Sequence, residues 1–341
     1  MKSIALIVDI KGWAFDIAAN IIKQELEGIF EVEIFYSRSE EFDEELMNKI
    51  KDYDIIHFFW RKTLLRLCKE EFQNNLEKDN IKIEKLKQKI STGVYDHLFI
   101  DEPIYYEVFN DMCKKYVVSS QKLYEIYSKN ANIKKPWGVL GDTFETEVFY
   151  PENVERLKKD INKPLVIGWA GNSLWNNKTK DENGNSIDYK GFHTILTPVI
   201  EELKEEGYKI ETYYADKNTN YIPNDKMRNY YNTLDVFICV SITEGTPKPL
   251  LEAMGCGIPI ITTDVGIAKE YMGVEQKKFI IGERIIGKSD EKIREKLKSK
   301  ILELYNNREL LLELSYENYE KSKEFNNNAF KDKYINYFTN F

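Results

Sequence analysis

Short apolar runs alternate with amphipathic segments along the first half of the chain. Residues 3–9 form an apolar run that ends in Asp9, a turn follows at 10–13, and 14–26 repeat apolar residues at helical spacing. This order predicts a strand, a tight loop and a helix. The unit recurs, with further strands predicted at 30–36, 53–60, 92–95 and 116–119 and helices at 40–51, 61–90, 103–114 and from 121 onward.

The third predicted strand, at 53–60, is apolar on both of its faces. Ile55, Ile56, Phe58 and Phe59 occupy both odd and even positions of this run. A strand buried on both faces is typical of a parallel sheet covered by helices on each side. The first half of the chain therefore predicts a βα domain.

The alternation stops in a turn-rich stretch and then begins again. Residues 135–142 and the Phe149-Tyr-Pro segment are rich in turn formers, which predicts a domain boundary at 150. The pattern beyond it predicts a second doubly wound sheet. Its strands are predicted at 165–169, 209–214, 236–240 and 259–262, and its helices at 192–206, 225–233, 249–254 and 290–306, with more helix after 311 and a break at 326–328.

Length and composition agree with two packed domains. The chain has 341 residues, of which 42% are hydrophobic and 31% are charged. Because a single core stops growing at about 250–300 residues, we expect two α/β domains, at 1–150 and 151–325. Open α/β sheets bind ligands at the carboxyl ends of their strands. Function is therefore expected at strand-to-helix loops that face a cleft between the domains.

The charge distribution argues against nucleic acid as a partner. The net charge is −8 and the pI is about 5.3, whereas binding to a phosphate backbone needs a basic surface. One segment is locally basic, since 61–89 holds nine Lys or Arg residues and five acidic ones. This segment is either a solvated pair of helices or an acceptor-binding surface that associates peripherally with a membrane.

Cysteine spacing and hydropathy favour the cytoplasm. The four cysteines stand singly, without the spacing of a zinc site or a disulfide framework. The apolar run at the start is too short for a signal peptide, and no segment reaches the ~20 apolar residues of a membrane span. We expect a cytoplasmic protein, either free or at the inner face of the membrane.

The most informative segment, 236–254, runs from a buried strand through a Gly/Pro-rich loop into a short helix. Free backbone N–H groups near 249–251 and the close approach that Gly245 allows would favour a diphosphate. Glu244 precedes the helix and Glu252 lies about one turn inside it. Because carboxylates accept hydrogen bonds from vicinal hydroxyls, one can serve a ribose and the other a sugar. The other candidate binding residues of this loop are Thr246, Lys248, Pro249 and Leu250.

The spacing of small and polar residues in this segment fits a known pattern, S-x-x-E-G-x-x-x-x-x-x-E-A-M-x-x-G-x-P. The residues that match it are Ser241, Glu244, Gly245, Glu252, Ala253, Met254, Gly257 and Pro259. In this respect the chain resembles the retaining glycosyltransferases of family 4, also called glycosyl transferases group 1. The resemblance implies a GT-B fold, with two Rossmann-like domains facing across a cleft and a C-terminal helix, at 326–341, that packs on the first domain.

The resemblance also implies roles for single residues. Glu244 would contact the donor sugar near its 3-hydroxyl, and Glu252 would hold the ribose hydroxyls. Lys190-Gly191 is similar to the family's K-G element, whose lysine meets the diphosphate. His97 stands where family members carry a histidine near the sugar's 6-hydroxyl or the reacting centre. A hydrogen-bonded structural histidine is an equal alternative for His97.

Weaker matches extend beyond this segment. Tyr231 and Asp235 resemble the Y-x-x-x-D element before the donor strand, and Asp142 with the Phe149-Tyr-Pro segment resembles the stretch between the domains. Gly12, after the first strand, lets backbone amides approach a ligand across the cleft, although an ordinary βα turn is equally compatible with it.

One position departs from the family's pattern. After the strand at 165–169 the family places Gly-Arg, whose arginine is a second clamp for the diphosphate, whereas this chain has Gly171-Asn172. We keep both residues as candidate donor-binding residues. The lysines that can replace the missing cation are Lys248, Lys178 and Lys180.

The implied reaction moves a glycosyl group from a nucleoside-diphosphate sugar to a hydroxyl, with retention at the anomeric carbon. The acceptor would be a glycan, a protein or a lipid-linked glycan, and no metal or other cofactor is implied. Two alternatives stay open, a UDP-sugar 2-epimerase and a non-catalytic partner subunit that binds a nucleotide sugar. An NAD-dependent oxidoreductase is disfavoured, because no G-x-G-x-x-G follows a predicted strand.

Overall fold

The chain folds into two compact units. The computed structural model describes residues 1–37, 44–79, 81–98, 100–142, 145–158 and 162–341. One unit comprises Met1–Thr143 together with Asn327–Phe341, and the other comprises Phe144–Asn326. The end of the chain therefore completes the unit that the beginning of the chain builds.

A parallel sheet forms the centre of the first unit. Its strands are β1 (Ser3–Val8), β2 (Glu31–Tyr36), β3 (Ile55–Phe58), β4 (Ile90–Val94) and β5 (Lys115–Val118). They pair in the order β2-β1-β3-β4-β5. Strands β3 and β4 are buried along their whole length, whereas the edge strand β2 is partly exposed. Burial on both faces confirms the parallel sheet that the apolar run at 53–60 predicts.

Helices connect these strands. They are α1 (Ala14–Glu25), α2 (Glu44–Ile50), α3 (Glu70–Lys78), α4 (Ile83–Lys87), α5 (Pro103–Glu107) and α6 (Gln121–Lys129), with a 3₁₀ helix at Arg61–Arg66 and a π-helical turn at Val108–Met112. Ala18, Ala19, Ile21 and Ile22 form the buried face of α1. The first part of the helix predicted at 40–51, up to 43, lies outside the described residues.

The segment predicted as one helical region at 61–90 is divided into shorter pieces. Its first part is a 3₁₀ helix, and Leu64 and Leu67 are buried at the three-residue spacing that places side chains on one side of such a helix. Arg61 is also buried and donates two hydrogen bonds to the Asp96 carboxylate, at 3.1 and 2.6 Å. This pairing holds the start of the segment at the end of β4.

A second parallel sheet forms the centre of the other unit. Its strands are β6 (Leu165–Gly171), β7 (Ile210–Asp216), β8 (Val236–Cys239) and β9 (Ile260–Thr262). They pair in the order β7-β6-β8-β9. The two doubly wound sheets that the alternation of strands and helices predicts are therefore confirmed.

The helices of the second unit follow the predicted order. They are α7 (Thr197–Glu205), α8 (Asn224–Tyr231), α9 (Lys248–Gly255), α10 (Ala268–Tyr271), α11 (Glu291–Asn306) and α12 (Arg308–Ser322), with a π-helical turn at Phe192–Leu196 and 3₁₀ helices at Val154–Leu157, Gln276–Phe279 and Lys323–Phe325. The 3₁₀ helix at Lys323–Phe325 ends just before the break predicted at 326–328. Within the described parts of the chain, no helix is long and apolar enough to cross a membrane.

The last helix, α13 (Asn327–Thr339), packs within the first unit. Lys115 Nζ donates to the carbonyl oxygens of Tyr337 at 2.6 Å and Asn340 at 3.2 Å, and so caps the C-terminal end of this helix. Phe338 is buried and packs edge-on against Phe30, with ring centroids 6.3 Å apart. Both polar and apolar contacts thus hold α13 in place.

The strand order of each sheet marks one position for a ligand. In the second unit β6 lies between β7 and β8, so the chain leaves β6 toward one side and later returns on the other. Neighbouring loops diverge at such a switch point and leave a crevice at the carboxyl ends of the strands. The loops after β6 and β8 are therefore the place where polar side chains can meet a ligand.

Candidate functional site

Two of the predicted catalytic residues, Lys190 and Glu244, form an ion pair in the second unit. Lys190 Nζ lies 2.5 Å from Glu244 Oε1, and the two side chains are 21% and 17% exposed. Ser241 Oγ donates to the same carboxylate oxygen at 2.7 Å. Two hydrogen bonds hold this carboxylate in one orientation. The loops after β6 and β8 thus bring a cation and a carboxylate together at the switch point.

Gly191 explains how Lys190 approaches the end of β8. The φ angle of Gly191 is +67°, and an added Cβ would lie 2.4 Å from the Val240 carbonyl oxygen. Another residue would be strained here and would also collide with the backbone. The glycine after the lysine is therefore a geometric requirement for the ion pair.

A second close approach holds the loop that carries Glu244. Gly266, in the loop after β9, has a φ angle of +48°, and a Cβ there would lie 1.9 Å from the Gly245 carbonyl oxygen. Thr263 Oγ1 donates to the Ser241 carbonyl oxygen at 2.7 Å. The loop after β9 thus supports the loop after β8. The motif reading missed Gly266, because its contact partner lies about twenty residues away in sequence.

The start of α9 offers fewer free amides than the sequence predicts. Pro249 has no N–H, and the Leu250 N–H already donates to the Pro247 carbonyl oxygen at 2.9 Å. The Thr246 hydroxyl oxygen, however, is buried and has no hydrogen-bond partner among the residues that the structure describes. Buried hydroxyls are normally paired, so Thr246 is available to a ligand.

Glu252, in α9, is positioned by a buried tyrosine. The Tyr231 hydroxyl donates to Glu252 Oε2 at 2.7 Å. Burial raises the pKa of the Glu252 carboxyl, while the Tyr231 hydrogen bond and the charge of Lys248 lower it. The Y-x-x-x-D element therefore has a local function, because its tyrosine fixes the second glutamate of the motif.

A network of neutral side chains and one aspartate lies where the family pattern has its arginine. Asp216, at the end of β7, accepts hydrogen bonds from the Ser173 N–H at 3.1 Å and the Ser173 hydroxyl at 2.8 Å. Asn218 Nδ2 donates to Asp216 at 3.0 Å and to Asn172 Oδ1 at 2.8 Å. The network fixes the turn after Gly171 but adds no positive charge to it.

The lysines that could replace the missing cation have different surroundings. Lys248 lies close enough to Glu252 for its charge to lower the pKa of that carboxyl. Lys180 Nζ donates to Ser186 Oγ at 2.7 Å, and Lys178 is exposed. Arg284 is buried and donates to Asp290 and to the Val240 carbonyl oxygen, so its charge is used within the fold. Lys248 is the best placed of the three lysines.

The candidates in the first unit lie after β1 and β4. Gly12 has a φ angle of +81°, and its N–H donates to the Asp16 carboxylate at 2.7 Å. His97 is partly buried and follows Asp96, the partner of Arg61. The Gly12 amide is thus used to hold its own loop. The roles of Gly12 and His97 toward a ligand stay predictions.

One family model matches part of the second unit. The model described as "Glycosyl transferases group 1" matches residues 200–321. This segment contains Ser241, Glu244 and Glu252 but not Lys190. The resemblance that the motif predicts is confirmed over this segment.

Curated relatives match shorter parts of the chain. Protein CapJ of Staphylococcus aureus is 28% identical over 36% of this chain and 35% of its own length. The O-antigen chain mannosyltransferase B of Escherichia coli is 28% identical over 25% of this chain and 21% of its own length. The chain thus matches about a third or less of these relatives.

Solved structures match the whole chain. The Anabaena protein HepE in complex with UDP-glucose has a TM-score of 0.66 at 12% identity, with 100% of both chains covered. Sucrose-phosphate synthase from Thermosynechococcus elongatus has a TM-score of 0.64 at 13% identity, with 100% of this chain and 99% of that chain covered. At this identity the likeness concerns the fold, and the predicted GT-B fold is confirmed.

Proposed function

From the group 1 resemblance, confirmed over residues 200–321, we propose that this chain transfers a glycosyl group from a nucleoside-diphosphate sugar to a hydroxyl acceptor. The observation that carries the proposal is the ion pair of Lys190 and Glu244 at the switch point of the second sheet. A nucleoside-diphosphate sugar has the anionic phosphates and the hydroxyl groups that such a pair can bind.

The ligand would exchange this ion pair for two contacts of its own. Lys190 takes the distal phosphate, while Glu244 accepts a hydrogen bond from a sugar hydroxyl. Both partners are only about a fifth exposed, at 21% and 17%. Leaving either charge unpaired in such surroundings is costly, so a ligand must satisfy both together. This requirement favours a molecule that joins phosphate and sugar.

Glu252 and the Thr246 hydroxyl extend the proposed site toward the nucleoside. Glu252 is held by Tyr231, and we assign it to the ribose hydroxyls. Thr246 donates to a diphosphate oxygen, because its buried hydroxyl has no hydrogen-bond partner among the described residues. Gly245, Lys248, Pro249, Leu250, Gly171 and Asn172 complete the proposed donor-binding set.

The chemistry follows from leaving-group stabilisation. Departure of the diphosphate leaves an oxocarbenium-like sugar, and the Lys190 ammonium stabilises the negative charge that develops on the leaving oxygen. That oxygen removes the proton of the acceptor hydroxyl on the same face, which gives retention. Positioning and electrostatics supply the catalysis, and no covalent nucleophile is required. His97 and Gly12 are assigned to the sugar and the acceptor side.

We assign the reaction to the cytoplasm, in agreement with the free state of all four cysteines. The acceptor is a glycan, a protein or a lipid-linked glycan. A lipid-linked acceptor would bring the protein to the inner face of the membrane. The locally basic segment 61–89 is the surface assigned to that contact.

The donor is tested by thermal shift and product analysis with UDP-, GDP- and dTDP-sugars, starting with UDP-glucose. A bound donor raises the melting temperature, by an amount equivalent to about 2.7 kcal/mol at a concentration of about 100 Kd. A transferase releases nucleoside diphosphate, an epimerase changes the sugar without this release, and an accessory subunit binds without turnover. If no nucleotide sugar raises the melting temperature, the proposal is wrong.

A further inference from the structure

An exposed tryptophan lies beside the cation of the proposed donor site. The Trp175 ring centroid is 5.3 Å from Lys190 Nζ, within the range of a cation–π contact. Trp175 belongs to the polar loop between β6 and Lys190 and is not among the candidate binding residues that the sequence predicts. Its side chain is 39% exposed, although large aromatic side chains are usually more buried.

Hydrogen bonds hold the backbone turn that leads to Trp175. The backbone N–H of Trp175 donates to the Asn172 carbonyl oxygen at 3.0 Å, and the backbone N–H of Leu174 donates to Asn172 Oδ1 at 3.1 Å. Ser173, inside the same turn, is bonded twice to the buried Asp216. The turn is therefore anchored to the ends of both β6 and β7. Trp175 follows directly from this anchored turn.

A second aromatic ring fixes the indole from the other side. Tyr189 packs edge-on against Trp175, with ring centroids 5.3 Å apart and an interplanar angle of 85°. Tyr189 is buried and directly precedes Lys190. The two ends of the loop between β6 and Lys190 therefore lie close together, and Trp175 and Tyr189 pack against each other there.

These contacts give the Lys190 ammonium two neighbours with different properties. Glu244 is an ionic partner, and it must turn to the ligand if it is to bind a sugar hydroxyl. Trp175 is an uncharged partner that can keep its contact when the ion pair opens. We propose that Trp175 is a positioning residue, which holds the Lys190 ammonium for the diphosphate in a chain that has Asn172 where the family pattern has its arginine. This inference rests on the proposed function.

The expected effect follows from the size of a partly exposed cation–π contact. Trp175→Leu should weaken UDP binding about twofold to fivefold, whereas Trp175→Phe should retain most of the affinity. Leu174→Ala is the matched control, because Leu174 lies in the same turn and is also exposed. The control should bind UDP like the wild type.

The test measures UDP affinity by calorimetry for the wild type, these variants and Lys190→Met, together with Trp175→Leu in the Lys190→Met background. If Trp175 acts through Lys190, its removal should have no further effect once the ammonium is absent. An equal loss in both backgrounds would show that the indole contacts the ligand directly and would overturn the inference. A Trp175→Leu variant with wild-type affinity would do the same.

Two other outcomes of the test are possible. If the wild type itself binds no nucleoside diphosphate, the proposed function fails, and this outcome is distinct from failure of the positioning role. If Trp175→Leu does not fold, Trp175→Phe and Trp175→Tyr take its place. Their affinities should then lie between those of the wild type and Lys190→Met. UDP affinities of Trp175→Phe and Trp175→Tyr outside this range would contradict the inference.

Discussion

At the residue scale, the site depends on a charged pair whose members come from separate loops. Glu244→Gln keeps the shape of the side chain but removes the charge that balances Lys190. We expect turnover of the nucleotide sugar to fall about 10²- to 10³-fold, since a preorganised polar contact at the reacting sugar is lost. The variant should stay folded, with a lowered melting temperature because the Lys190 ammonium loses its ionic partner. Steady-state kinetics and a thermal melt check this prediction, and wild-type turnover would contradict the assigned role.

A buried histidine makes stability depend on pH. His57, in β3, shares a hydrogen bond with Ser91 Oγ at 2.7 Å, and burial followed by the charge of Lys115 lowers its pKa to about 3. Between about pH 6.5 and 3 the unfolded chain binds a proton that the folded chain does not bind. The free energy of unfolding therefore falls on acidification, by up to about 1.4 kcal/mol per pH unit from this group.

Urea unfolding at pH 7, 6 and 5 tests this linkage. The wild type is compared with His57→Gln, so that the titration of all other groups cancels in the difference. We expect the wild type to lose stability faster than the variant as the pH falls. Parallel pH profiles would show that His57 binds a proton as readily in the folded chain as in the unfolded chain, and would contradict the lowered pKa.

Single residues also show how far the sequence can predict a site. The spacing of Glu244 and Glu252 marks the donor loop, because that pattern is carried by one continuous segment. The contact of Trp175 with Lys190 could not be predicted in this way, since it depends on where a polar loop returns. Gly266 was missed for the same reason, as its partner Gly245 is brought near only by the neighbouring strands.

At the element scale, the loop after β9 packs against the loop after β8 and supports it. Gly266→Ala places a methyl group against the Gly245 carbonyl oxygen, whereas Gly184→Ala, at a φ angle of +82°, meets no atom within 4 Å. Both changes carry the cost of a left-handed backbone, about 1–2 kcal/mol. Gly266→Ala should cost a further 1–3 kcal/mol, approximately, because of overpacking. It should also weaken UDP binding by displacing Glu244.

Urea unfolding and UDP calorimetry of the two variants measure this difference, with Gly184→Ala as the control for backbone strain. Equal stability and equal affinity of the two variants would mean that the loop after β9 gives no support to the donor loop.

The order of elements could be predicted from the sequence better than their limits. Apolar runs identify the strands because a strand that is buried on both faces has apolar residues at consecutive positions. The segment 61–90 is the main exception, since it divides into a 3₁₀ helix and two short α-helices, and its first residue, Arg61, pairs with Asp96 at the end of β4. The free amides expected at the start of α9 were also fewer, because Pro249 and the bonded Leu250 remove them.

At the scale of the whole molecule, the last helix has a defined effect on one unit. Phe338 is buried against Phe30 in the first unit. Phe338→Ala should cost about 3–5 kcal/mol, the usual price of removing a buried aromatic ring. Hydrogen exchange should then lose protection in β1 and β3, while β6 and β8 stay protected.

Tyr221→Ala is the matched control, because Tyr221 is 70% exposed and lies in the second unit. It should leave exchange unchanged in both sheets. Uniform loss of protection in the Phe338→Ala variant would show that the two units unfold as one.

The position of α13 in the first unit determines which of the two units can finish folding first during synthesis. The second unit, Phe144–Asn326, is continuous in the chain, so all of its residues have been made before translation ends. The first unit is built from Met1–Thr143 but also needs Asn327–Phe341, which are synthesised only after all of Phe144–Asn326. The surface of the first unit that includes Phe30 therefore stays uncovered until the residues of α13 have been synthesised. The continuous second unit can therefore complete its fold before the first unit does.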